Sequence, residues 1–227
     1  MRRILLSSLF ALFAACASSY GTIVVFSASP SARNVLDSSL NALPANDLVL
    51  VGMFSNVTNP TSAPFTFNAS ESIAQNFSAI SAAGGWTQFG SSGLAITSSP
   101  ADKIGGTVTD DTAAANPFNG QMLYVWVFNA SSVSAATEMG IFTATSANEP
   151  WVFPVNAGPN NNTTYSTTPS ATTTMVAVGN TGAVQPSGTG NMVLSAASPA
   201  PEPSTVVSLI GATGFLAMLR RRRAVHS

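Results

Sequence analysis

Gln121-Met122-Leu123-Tyr124-Val125-Trp126-Val127-Phe128 is the stretch that decides the fold. It is rich in β-branched and aromatic residues, the types that fit a pleated sheet. A strand with one wet face alternates apolar and polar residues. This one is apolar almost throughout, so both of its faces are expected to be covered, as in the centre of a sandwich. Further strand-like runs lie on either side. Thr22-Ile23-Val24-Val25-Phe26 comes first, and Asp47 to Phe54 follows the turn-like Pro44-Ala45-Asn46. Gly140 to Thr143, Trp151 to Pro154, Thr174 to Val178 and Asn191 to Leu194 come later. Clusters of Gly, Pro, Asn and Ser separate them. This spacing predicts a mainly β domain, an antiparallel β-sandwich or barrel with one or two short helices.

The first helix is expected after Ser70, a cap, with Glu71 in the first turn where the helix dipole favours a carboxylate. Ile73, Phe77 and Ile80 would form its apolar face, and Gly84-Gly85 would end it. A shorter helical turn is expected over Ser134 to Glu138. Residues 156–190 are polar and turn-rich, and read as a long surface loop with one or two edge strands.

The two ends differ from this body. Met1-Arg2-Arg3, the apolar Ile4 to Ala15 and the small residues after them have the three regions of a signal peptide over 1–21. Cleavage is expected after Gly21, with Ala17 as the alternative. Cys16 ends the apolar stretch, but Phe13 stands where a lipid-attachment site carries an aliphatic residue. A secreted domain over 22–198 follows. Residues 199–227 hold Pro201-Glu202-Pro203, an apolar run from Thr205 to Leu219, and Arg220, Arg221, Arg222 and Arg223. As a helix that run spans about 22 Å. The hydrocarbon core is about 30 Å thick, and the arginine stems can extend the reach. The reading is a transmembrane helix over 205–219, with the basic tail 220–223 as a cytoplasmic stop. Pro201 and Pro203 keep the preceding peptide extended, as a processing enzyme needs.

The tripeptide, apolar run and arginine cluster, in this order, resemble the sorting domain of the PEP-CTERM family of bacterial surface and secreted proteins, over about residues 199–225. The resemblance implies an exosortase as partner, cleavage near the motif, and membrane association through the C-terminal helix before processing. The implied route is export, a transient stage in the inner membrane, then the cell surface or the extracellular space. The body is also similar to uncharacterised secreted proteins that carry the same tail. That similarity rests on Leu48 to Phe54, Gly120 to Asn129, Thr137 to Phe142 and Trp151 to Pro154, and it brings no activity with it.

Composition excludes several chemistries for the body. Its only basic residues are Arg33 and Lys103, against Asp37, Asp47, Glu71, Asp102, Asp110, Asp111, Glu138 and Glu149. A formal charge of −6 over residues 22–200 offers nothing to neutralise phosphates, so nucleic acid is not an expected partner. The single histidine is His226 and the single cysteine is Cys16, both in the end segments. Histidine-based triads, His/Cys zinc sites and disulfides are therefore not available to residues 22–198. No cofactor is expected. Two carboxylates drawn from Glu71, Glu138, Glu149 or the aspartates would suit glycoside hydrolysis, but no motif joins them. Asp110 and Asp111, with Asp102 nearby, are candidate calcium ligands on a loop. Trp86 and Trp151 are candidates for a sugar-stacking platform, whereas Trp126 reads as core. The leading expectation is a non-enzymatic protein of the cell surface or extracellular matrix. The alternatives are a carbohydrate-binding module for extracellular polysaccharide and a carboxylate hydrolase.

Overall fold

The computed structural model describes residues 22–57, 65–91, 93–110, 117–144, 150–155, 163–167, 178 and 191–198. The deciding stretch forms β7 (Tyr124–Phe128), fully buried along its length. It lies between β3 (Leu48–Phe54) and β8 (Glu138–Phe142), antiparallel to both. Its side chains alternate between two apolar layers. Leu123, Val125 and Val127 face the layer that holds Val49, Val51 and Met53. Tyr124, Trp126 and Phe128 face the layer that holds Leu50, Phe54, Met139 and Ile141. The near-continuous apolar run is thus explained by burial on both sides.

Around this centre the chain builds one nine-stranded sheet. Its other members are β1 (Thr22–Phe26), β4 (Trp86–Gln88), β5 (Leu94–Ser98), β6 (Ala101–Asp110), β9 (Thr163–Thr167) and β11 (Ser195–Ala196). The order is β11-β8-β7-β3-β5-β6-β1-β9, and β4 also pairs with β3. A separate ribbon joins β2 (Val35–Leu36) to β10 (Met192–Val193) in parallel. Pairing is mixed, because β9 also runs parallel to β1. The long strand β6 links two regions of the sheet. Ala101, Ile104 and Gly105 pair with β5, and Gly106 to Asp110 pair with β1. The change of partner falls at Gly105-Gly106, where Gly106 has φ 123, a value suited only to glycine.

The expected antiparallel sandwich or barrel is therefore corrected. The described strands form one open, mixed sheet with edges at β9 and β11, and the architecture is mixed α/β. The reason lies in what covers β7. On one side the cover is helix α1 (Ile73–Gly84), with Phe65, Phe67 and Trp86, where the sandwich reading placed a second sheet. On the other side it is the ribbon and β1, with Phe118, Trp151 and Phe153.

Helix α1 starts two residues later than expected. Ser72 is the cap; its hydroxyl accepts from the Gln75 amide, and the Gln75 side chain accepts from the Ser72 amide. This reciprocal capping box displaces Ser70, and Glu71 precedes the first turn. Ile73 and Ile80 are buried as expected, and Phe77 packs on Trp126 with ring centroids 4.5 Å apart. Gly85 ends the helix at φ 67, donating its amide to the Ser81 carbonyl. The helical turn expected over Ser134 to Glu138 is instead a short turn, and Glu138 opens β8. Trp151 to Pro154 supplies only a bridge from Val152 to Met122, and Val178 bridges to Ile141. Residues 174–177 lie outside the described residues.

The membrane-spanning helix expected over 205–219, and the transient inner-membrane stage that rests on it, find no counterpart among the described residues. Among the described residues no helix is long and apolar enough to cross a membrane. Helix α1, with 12 residues, spans only about 18 Å. The segments 1–21, 199–204 and 205–219 and the arginines 220–223 lie outside the described residues.

Candidate functional site

The sorting residues Pro201, Glu202 and Pro203, the arginines 220–223 and the cleavage positions Gly21 and Ala17 lie outside the described residues. So do Asp111 and Glu149. The described residues place the other candidates far less favourably for ligands than the sequence suggested.

Trp151 is fully buried, with its ring edge-on to Phe26 at 5.2 Å between centroids. It offers no face to a sugar, and that expectation is corrected: Leu123 and Ala144 take its backbone into the interior. Trp86 is half-buried and belongs to an aromatic cluster. Its ring lies 4.8 Å from Phe54 and 5.4 Å from Trp126. Phe54 in turn meets Phe65 and Tyr124 edge-on. Such edge-to-face pairs each add about 1 kcal/mol beyond area burial, so these rings serve cohesion. Trp126 is core as expected, and its indole N–H donates to Met139 Sδ at 3.2 Å. Burial pushes the Tyr124 phenol up to about 12, so it stays neutral.

The calcium loop is partly a strand. Asp110 is the last residue of β6 and pairs in register with Thr22, and Asp102 lies near the start of the same strand. Thr107, Val108 and Thr109 supply the β-branched character that favours a strand there. Among the described residues no three His, Cys, Asp or Glu side chains gather as a metal site. Of the hydrolase candidates, Glu138 is engaged by Ser38, whose amide donates to Oε2 at 2.7 Å and whose hydroxyl donates to Oε1 at 2.8 Å. Glu71 lends its backbone carbonyl to Asn76 Nδ2.

What the structure does bring together is a buried polar seam. The connection from β1 to β2 runs beside the first half of β6. Lys103 Nζ donates to the Ala32 carbonyl at 2.6 Å and also contacts Asn34 Oδ1. Asn34 is pinned from the other side, because its carbonyl accepts from the Met192 amide at 2.8 Å. Lys103 and Arg33, the body's two cations, are both buried, 6% and 5% exposed. Burial pulls both below their ordinary basicity; beside Lys103 the Asp102 carboxylate partly offsets this. Asp102 has φ 64, uncommon for a residue with a side chain. Asp47, the residue just before β3, is also buried. Asp47 Oδ2 has no partner, and burial raises its pKa.

One clue to this seam lies in the sequence. Lys103 is a lone cation inside a run that reads Ala-Asp-Lys-Ile-Gly-Gly-Thr-Val-Thr-Asp, and a lone charge amid strand residues needs a partner if it is buried. Asn34 carried no such signal. The chain was compared with family models, curated proteins and solved structures, and none matches.

Proposed function

We propose that this is a non-enzymatic protein of the bacterial cell surface or extracellular matrix, whose Pro201-Glu202-Pro203 motif is read and cut by an exosortase. One observation carries the reading: the tripeptide, the apolar stretch Thr205 to Leu219 and the cluster Arg220 to Arg223 follow one another in that order. The body fits the role. Its aromatic residues are spent on cohesion, and the Glu138 carboxylate ties β8 to the loop after β2. The remaining acids and the many Ser, Thr and Asn side chains suit a hydrated exterior.

The test is co-expression of the full chain with an exosortase, followed by intact-mass measurement. A product truncated near residues 201–203 is expected, and changing Pro201, Glu202 and Pro203 together to Ala should abolish it. A wild-type chain that keeps its arginine cluster in the presence of active enzyme would sink the proposal.

A further inference from the structure

We propose that Lys103 and Asn34 join through an intramolecular amide, formed when the Lys103 amine attacks the Asn34 side-chain carbonyl and ammonia leaves. The reactants already touch, because Nζ contacts Asn34 Oδ1 and so sits next to the carbonyl carbon, Cγ. Both are also held in place. Nζ is fixed by its second bond to the Ala32 carbonyl, and the Asn34 backbone is fixed by Met192. Holding nucleophile and electrophile in one geometry removes the entropic part of the barrier.

The setting suits the chemistry. An amine must be neutral to attack, and burial favours the neutral form of Lys103. The Nζ lone pair forms the bond to Cγ while the carbonyl π pair moves to Oδ1. The intermediate collapses by breaking the Cγ–Nδ2 bond. Nζ gives up one proton and Nδ2 gains one, so the products are a secondary amide and one molecule of ammonia. No oxidant, metal or other co-reactant is needed. The proton relay is assigned to Asp102, which adjoins Lys103 and whose charge acts on the amine. Between Thr22 and Ser198 there is no cysteine, so a disulfide is closed to this domain, whereas an amide is open to it.

The experiment is denaturing intact-mass measurement on the purified full chain, with peptide fragmentation and hydroxylamine treatment. The wild type should be about 17 Da lighter than its sequence, the mass of the departing ammonia, with fragments of Asn34 and Lys103 joined. Hydroxylamine should leave that deficit intact, whereas a cyclised Asn would be opened. Lys103→Arg and Asn34→Ala should each restore the sequence mass, and Asp102→Asn should slow the loss at least tenfold. A folded wild type at its full sequence mass overturns the proposal, whatever the variants do. So does a deficit that persists in Lys103→Arg.

Discussion

Gly52→Ala tests how β3 and the aromatic cluster depend on each other. Gly52 pairs with Tyr124 on one side of β3 and with Gln88 on the other. A Cβ built there meets the Thr87 carbonyl oxygen at 2.3 Å and Trp86 Cη2 and Cζ2 at 2.6 and 2.7 Å. Each contact is about 1 Å short of an ordinary one. Thr87 cannot retreat without loosening the β3–β4 pairing, and Trp86 cannot retreat without leaving Phe54 and Trp126. Overpacking of this kind costs about 1–3 kcal/mol, and each ladder hydrogen bond lost adds about 1 kcal/mol. The expected loss is about 3 kcal/mol, or about 6–12 °C in melting temperature for a domain of this size. Thermal melts followed by near-ultraviolet circular dichroism read it directly. Adding Trp86→Ala removes the ring but leaves the carbonyl, so the double variant should fall short of the summed losses by about 1 kcal/mol. A Gly52→Ala protein that melts within 2 °C of wild type (well inside the roughly 6 °C minimum expected) would refute the reasoning.

Asp47→Asn should raise the melting temperature at pH 7. A folded-state pKa above the unfolded value means that ionisation destabilises the fold, so stability is lost as pH rises from about 4 through the folded value. The advantage of the variant should vanish below that window, and equal melts at pH 7 would count against it. Ser72→Ala removes the capping hydroxyl of α1 and should cost about 1 kcal/mol in urea unfolding, with an unchanged slope. Asn76→Ala should cost more, about 2–3 kcal/mol. Asn76 is buried; its Oδ1 accepts from the Asn68 amide at 2.7 Å, and Nδ2 donates to the Asn68, Glu71 and Ser72 carbonyls, so the change removes a partner from several partly buried backbone groups at the foot of the helix. A smaller loss than for Ser72→Ala would contradict that ranking.

The parts of this fold that were legible in the sequence are those where one physical effect dominates. Tyr124 to Phe128 is apolar on both faces, and both faces are buried. Ile73, Phe77 and Ile80 recur at helical spacing, and that face meets Trp126. The nature of the second cover was not legible, because a strand needs only an apolar neighbour and does not specify a helix or a sheet. β6 was missed because Asp102, Lys103 and Gly105-Gly106 look like a loop. Its pairing to β5 and β1 outweighs that local composition. The buried seam was hidden for a related reason: burial of Lys103 depends on a chain segment 71 residues away at Ala32. Trp151 was open to a sugar-stacking reading because Pro150 sets it at an element edge, yet backbone hydrogen bonds with Leu123 and Ala144 hold it inside.

The last described residues are sewn into the fold at two separate places. β11 lies at the edge of the sheet, antiparallel to Glu138 and Met139, and β10 runs parallel to Val35 and Leu36. A pull on the chain beyond Ser198 therefore meets the bonds from Ser198 to the Ala69 carbonyl and from Ala197 to the Thr137 carbonyl, then β11, before it reaches β10. The segment leaving the domain is thus fastened by a series of anchors, and the load of a tug falls on the outermost of them before it reaches the β2–β10 ribbon.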